Sequence, residues 1–76
     1  MNREQFAQEL VKKTAQMGEF LTPSQAEKAI LAFMEVLREK VLVGGEKIKI
    51  HGYGSFERRK KRHYYVKLNP GRWLKK

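Results

Sequence analysis

The stretch Gly45-Glu46-Lys47-Ile48-Lys49-Ile50-His51-Gly52-Tyr53-Gly54-Ser55-Phe56-Glu57 decides the fold. Ile48 and Ile50 alternate with Lys47, Lys49 and His51, and that period of two describes a strand with one apolar and one polar face. Gly52 to Ser55 are turn residues. Phe56 then opens a second extended run into Arg58-Arg59-Lys60-Lys61-Arg62, so the two runs make a hairpin. Tyr64, Val66 and Leu68 alternate again and predict a third strand. Beyond it, Asn69-Pro70 fits the N-cap and first position of a short last helix, anchored by Trp73 and Leu74.

Upstream of Gly45 the apolar period is helical. Asn2, with Gln5 three residues on, reads as a capping box, and Phe6, Leu10, Val11 and Met17 recur at helical spacing up to Gly18. Thr14 lies on the same stripe and offers its methyl group for packing. A second helix starts at Leu21-Thr22-Pro23-Ser24-Gln25. Thr22 is its cap, Gln25 the residue reaching back, and Pro23 stands at the first helical position, where a missing N–H does no harm. Ala26, Ile30, Phe33, Leu37 and Val41 share one face, and Leu31 and Met34 widen the stripe beyond what one short helix covers. Gly44-Gly45 stops the helix. The expected class is α+β: two N-terminal helices, a three-stranded antiparallel sheet and a short C-terminal helix, in a single domain over residues 1–76.

A domain of 76 residues buries little apolar surface by itself. The usual supplements are disulfides, a structural metal or a partner subunit. With no Cys, disulfides and Cys-based zinc sites drop out and oligomerisation is expected. The N-terminus has no continuous apolar stretch of signal-peptide length, and the longest apolar run, Ala29 to Met34, falls far below the ~20 residues of a membrane span. A soluble protein of a reducing cytoplasm fits.

Charge is unevenly placed. Met1 to Gly45 holds six Lys/Arg and six Glu, while Glu46 to Lys76 holds eleven and two, so the net +9 belongs to the C-terminal part. A neutral half joined to a polycationic half suggests a packing module with a polyanion-binding surface. Catalysis has little to build on: there is no Asp and no Cys, and only two His and two Ser. His51 and Ser55 lack an orienting carboxylate, His51 and His63 lack neighbours at metal-ligand spacing, and Gly52-Tyr53-Gly54 lacks the third glycine of a dinucleotide loop. No enzyme, cofactor or metal is expected. The run Arg58-Arg59-Lys60-Lys61-Arg62 is the main functional candidate, because cations on an extended segment can track a phosphate backbone. Its structural alternative is a solvated edge strand guarded by charge.

The strand–turn–strand stretch, with its Gly-aromatic-Gly-Ser-Phe at Gly52 to Phe56, closely resembles the core of the HU/IHF family of bacterial histone-like proteins. Met1-Asn2-Arg3, Ala26-Glu27-Lys28-Ala29 with Phe33, and Leu68-Asn69-Pro70-Gly71-Arg72-Trp73-Leu74-Lys75 are similar to that family's helices and its entry into the last one. The resemblance implies an intertwined homodimer or heterodimer whose sheets form a saddle under double-stranded DNA. It also implies a nucleoid-associated role in compacting or bending DNA with little sequence preference. By position it assigns Arg3, Arg59, Lys61, Gly71, Arg72 and Lys75 to phosphates, with Gly71 and Arg72 at a helix N-terminus.

Two departures accompany it. Family members extend their second and third strands into long arms tipped by Asn-Pro, whereas here Arg62 runs directly into His63-Tyr64-Tyr65. Either the arm was lost and the turn is unusual, or a flexible arm is missing between Arg62 and His63. Arg58 also stands where an apolar residue is usual. The runner-up function is that of a small RNA-binding or ribosome-associated protein; the third is a sheet that docks an acidic protein.

Overall fold

The computed structural model describes residues 1–73. The chain divides into two compact units, Met1–Met34 and Glu35–Lys76.

The first unit is helical. Helix α1, Arg3–Gln16, begins with the capping box read from the sequence: the Gln5 N–H donates to Asn2 Oδ1 at 2.9 Å and the Asn2 N–H donates to Gln5 Oε1 at 2.9 Å. Thr14 turns its hydroxyl onto its own helix, donating to the carbonyls of Leu10 at 2.8 Å and Val11 at 3.1 Å, which leaves the methyl group for packing. Helix α2, Pro23–Val36, repeats the cap with Thr22 and Gln25, at 2.9 and 3.1 Å, and its last two residues belong to the second unit. Ala7 and Ala26 are the buried residues of the two helices, and Arg3 pairs with Glu27 at 3.6 Å. Larger side chains stay open. Phe6, Leu31 and Phe33 are about half exposed, and Phe6, Leu10, Ile30, Phe33 and Met34 line a cleft with no polar wall.

The second unit begins where α2 changes its winding. Leu37–Val43 is a π-helical segment, a difference from the regular helix expected up to Gly44. The Gly44 and Glu46 N–H groups reach back five and six residues, to the Glu39 and Lys40 carbonyls at 3.1 and 2.8 Å. This wide winding keeps Leu37 and Val41 on one buried face, and Val41 is the largest fully enclosed side chain among the described residues. Its burial contributes about 1.5–3 kcal/mol. Gly45, at φ 73°, then reverses the chain, a conformation open to glycine.

Strands β1 (Ile48–Ile50), β2 (Gly54–Lys60) and β3 (Tyr64–Pro70) form an antiparallel meander in that order. Ile48 pairs with Phe56 and Phe56 with Leu68; Arg58 pairs with Val66 and Lys60 with Tyr64. One face of the sheet therefore carries Ile48, Phe56, Val66 and Leu68, and β2 and β3 pack against the π-helical segment.

One sequence expectation needs correction. Asn69 and Pro70 do not start a helix: they end β3, paired with Ser55 and Gly54. The alternation of Tyr64, Val66 and Leu68 carries on through them. Pro70 is tolerated because it closes the ladder, where a missing donor costs little. Gly71 to Trp73 follow as a turn, and the remainder of the expected last helix, including Leu74 and Lys75, lies outside the described residues. Between β2 and β3 the chain reverses over Lys61, Arg62 and His63 without any residue at positive φ, held by a Lys61 N–H bond to the His63 carbonyl at 3.3 Å. No arm extends there. The link is built without Gly, Asn, Asp or Pro.

Candidate nucleic-acid interface

The pleat splits the basic run. Successive side chains of a strand point to opposite faces, so Arg58 and Lys60 leave on one side of β2 and Arg59 on the other. Arg58 folds inward over Tyr64, its guanidinium carbon 4.6 Å from the ring centre, and donates to the Leu42 carbonyl at 3.3 Å. It thereby caps the end of the π-helical segment and lies against Gly45, where a Cβ would meet Arg58 Nη2 at 3.1 Å. Lys60 approaches the same ring at 5.2 Å. The position where the resemblance implies an apolar residue thus holds a cation packed on an aromatic face. Lys61 and Arg62 stand exposed in the turn.

The opposite, outward face holds Lys49, Ser55, Glu57, Arg59, Tyr65, Lys67 and Asn69, by the pairing Lys49 to Ser55, Ser55 to Asn69, Glu57 to Lys67 and Arg59 to Tyr65. Lys47, just before β1, joins it by alternation. Glu57 is the one carboxylate of the sheet among the described residues. Its Oε1 accepts from Asn69 Nδ2 at 2.7 Å and from Arg59 Nη2 and Nε at 2.7 and 3.0 Å. The Asn69 hydrogen bond first, then the Arg59 bond, hold its carboxyl below the ordinary carboxylate range. Arg59 is half exposed on this face.

At the end of the sheet near the Gly52 turn, a groove of about 340 Å³ is lined by Lys47, Lys49, Ser55, Asn69, Gly71 and Arg72 among others. Three of these are cations around a backbone cleft, a shape that accepts an anionic chain. The Gly71 N–H is already used, donating to the Tyr53 carbonyl at 2.7 Å, and the Trp73 N–H donates to that of Gly52 at 2.9 Å. Gly71 therefore serves this site as a close-packing residue, since a Cβ on it would lie 2.8 Å from Gly54 N. Tyr53 and Trp73 sit beside each other, ring centres 5.5 Å apart.

Of the residues singled out from the sequence, Arg59 and Arg72 face the open side of the second unit, Arg58 and Lys60 face its inner side, and Lys61 and Arg62 occupy the turn. Arg3 belongs to the helical unit, paired with Glu27, and Lys75 lies outside the described residues. Lys47, Lys49 and Lys67 were missed. The signal was present: each flanks an apolar strand residue, and alternation puts such a lysine on the face that Ile48, Ile50 and Val66 leave free.

The sequence matches the family described as Bacterial DNA-binding protein over residues 1–75. Among solved structures, it is similar to a mutant of HU from Thermotoga maritima, at 31% identity and a TM-score of 0.71, covering 93% of this chain and 89% of that one. No curated protein matches.

Proposed function

Because the chain belongs to the bacterial DNA-binding protein family, of the HU/IHF kind, we propose that it is an architectural protein that binds double-stranded DNA with little sequence preference, as a dimer. The family is one of DNA binders and not a class of enzymes. The observation that carries the reading is the outward face of the sheet, where Lys47, Lys49, Arg59 and Lys67 gather beside the Arg72 groove with a single carboxylate among them. Long flexible cations on a flat sheet match phosphates, which are alike at every base pair. Three of the four are lysines, point charges without a bidentate fork for base edges, so the face favours position over sequence.

The exposed apolar cleft of the helical unit supports the dimer. Phe6, Phe33 and Met34 are 47%, 47% and 56% exposed, which is costly in a single chain and natural in half of an interface. The same reading takes residues 1–76 as one HU/IHF-like domain and places the protein with DNA in the bacterial nucleoid. Among the described residues no helix is long and apolar enough to cross a membrane. Without an arm no apolar wedge reaches a base step, so bending is weak. Short-fragment cyclisation should show no sharp kink.

Titration of a fixed duplex against salt tests the function. With ~4 to 8 phosphates neutralised per dimer, log affinity should fall against log salt with a slope of about −4 to −7. Replacing Arg59 and Lys61 by Ala should weaken binding to unrelated duplexes about equally, and replacing Lys12 and Lys13 on α1 should do much less. Equal losses from both pairs would show diffuse attraction and remove the docking surface. Preferential binding of structured RNA over duplex of equal length would move the protein to the RNA-binding class.

A further inference from the structure

Resting on the duplex-binding reading, we propose that Glu57 is an internal competitor for DNA phosphate, occupying Arg59 in the free protein and releasing it when a phosphate arrives. Arg59 directs Nε and Nη2 onto one oxygen of Glu57, at 3.0 and 2.7 Å. That edge is one of the two by which a guanidinium forks onto a phosphate. A phosphate that takes the Nε–Nη2 edge therefore competes with Glu57 for the same donors.

The surroundings favour exchange over a fixed pair. The Glu57 side chain is 24% exposed and that of Arg59 52%, so the arginine is the mobile partner and the carboxylate the anchored one. Asn69 Nδ2 holds the same Glu57 oxygen at 2.7 Å from β3 and remains when Arg59 leaves. Lys67 stands directly across from Glu57 in the register, and Lys47 also favours the ionised carboxylate from the β1 side. Glu57 can thus stay charged and solvated by its neighbours while Arg59 swings to the duplex. Each exchange subtracts from binding, so the chain holds its affinity below what its cations alone would give.

The test is a double-mutant cycle on one duplex at fixed salt, with Glu57→Gln, Arg59→Ala and the pair. Glu57→Gln should tighten binding about fivefold, the upper range for an exposed ion pair. It should also steepen the salt slope by up to about one unit per chain. In the Arg59→Ala background the gain should vanish. Glu46→Gln, which changes net charge equally outside the strands, should alter affinity less than about twofold. Weaker binding by Glu57→Gln, or the same gain with Arg59 absent, overturns the proposal. If the variants melt early, the wild-type protein decides: on adding duplex, the Arg59 Nε–H resonance should move while Asn69 Nδ2 does not, and an unmoved Arg59 refutes exchange. A wild-type chain that binds no duplex would instead sink the functional reading on which this rests.

Discussion

Arg58 and Arg59 are neighbours that leave opposite faces of the sheet, and their difference is set by one step of the pleat. Arg58→Ala removes the contact with Tyr64 and the bond to the Leu42 carbonyl, and should cost about 1 kcal/mol in urea unfolding while leaving duplex affinity within about twofold. Arg58→Leu should recover most of the stability, since an aliphatic side chain can cover the same ring. Glu57 gives a pH dependence. Its carboxyl titrates below its ordinary value when folded, so its contribution is present above that ordinary value and is lost as pH falls through the folded one. Thermal stability should therefore decline from about pH 5 downward, and Glu57→Gln should flatten that decline. Gly54, at φ 143°, shows the tightest constraint. A Cβ there would run into the Asn69 carbonyl and lie 2.9 Å from Gly71 N, so Gly54→Ala should cost more than about 2 kcal/mol, read as a shifted urea midpoint.

At the level of elements, legibility followed the range of the interactions involved. Both helix starts were readable because a capping box is closed within four residues, Asn2 to Gln5 and Thr22 to Gln25. Asn2→Ala should accordingly cost about 1 kcal/mol, seen as reduced thermal stability with little effect on DNA affinity. The first and third strands were readable from alternation, and the second from the turn residues before it. The end of β3 was not, because Asn69-Pro70-Gly71 carries a strong local helix-start pattern that the ladder with Ser55 and Gly54 overrides. The π-helical winding of Leu37–Val43 left no mark either, since residues four apart share a face in both kinds of helix. In the candidate interface the basic run was found as a block. What the block concealed was its division between two faces, and that division depends on a register the charges themselves do not announce.

For the whole molecule, the imbalance between neutral helices and basic sheet was plain in the sequence, and so was the excess of apolar surface on α2. The structure adds how little one chain encloses: Ala7, Ala26, Leu37 and Val41 are its buried apolar residues among those described. Met34→Asp should therefore shift sedimentation from twice the 9.0 kDa chain mass toward the single chain, or abolish the folded state, in either case with loss of DNA binding. If a second copy covers the open cleft beside Phe6 and Met34, as proposed, dilution acts as a denaturant. A chain that completes its interior with a second copy has no melting temperature of its own, only one that climbs with the logarithm of its concentration. Calorimetry over a hundredfold range of protein should trace that climb. Added duplex should raise the transition most at the dilute end, where it brings together two chains that would otherwise be apart and unfolding.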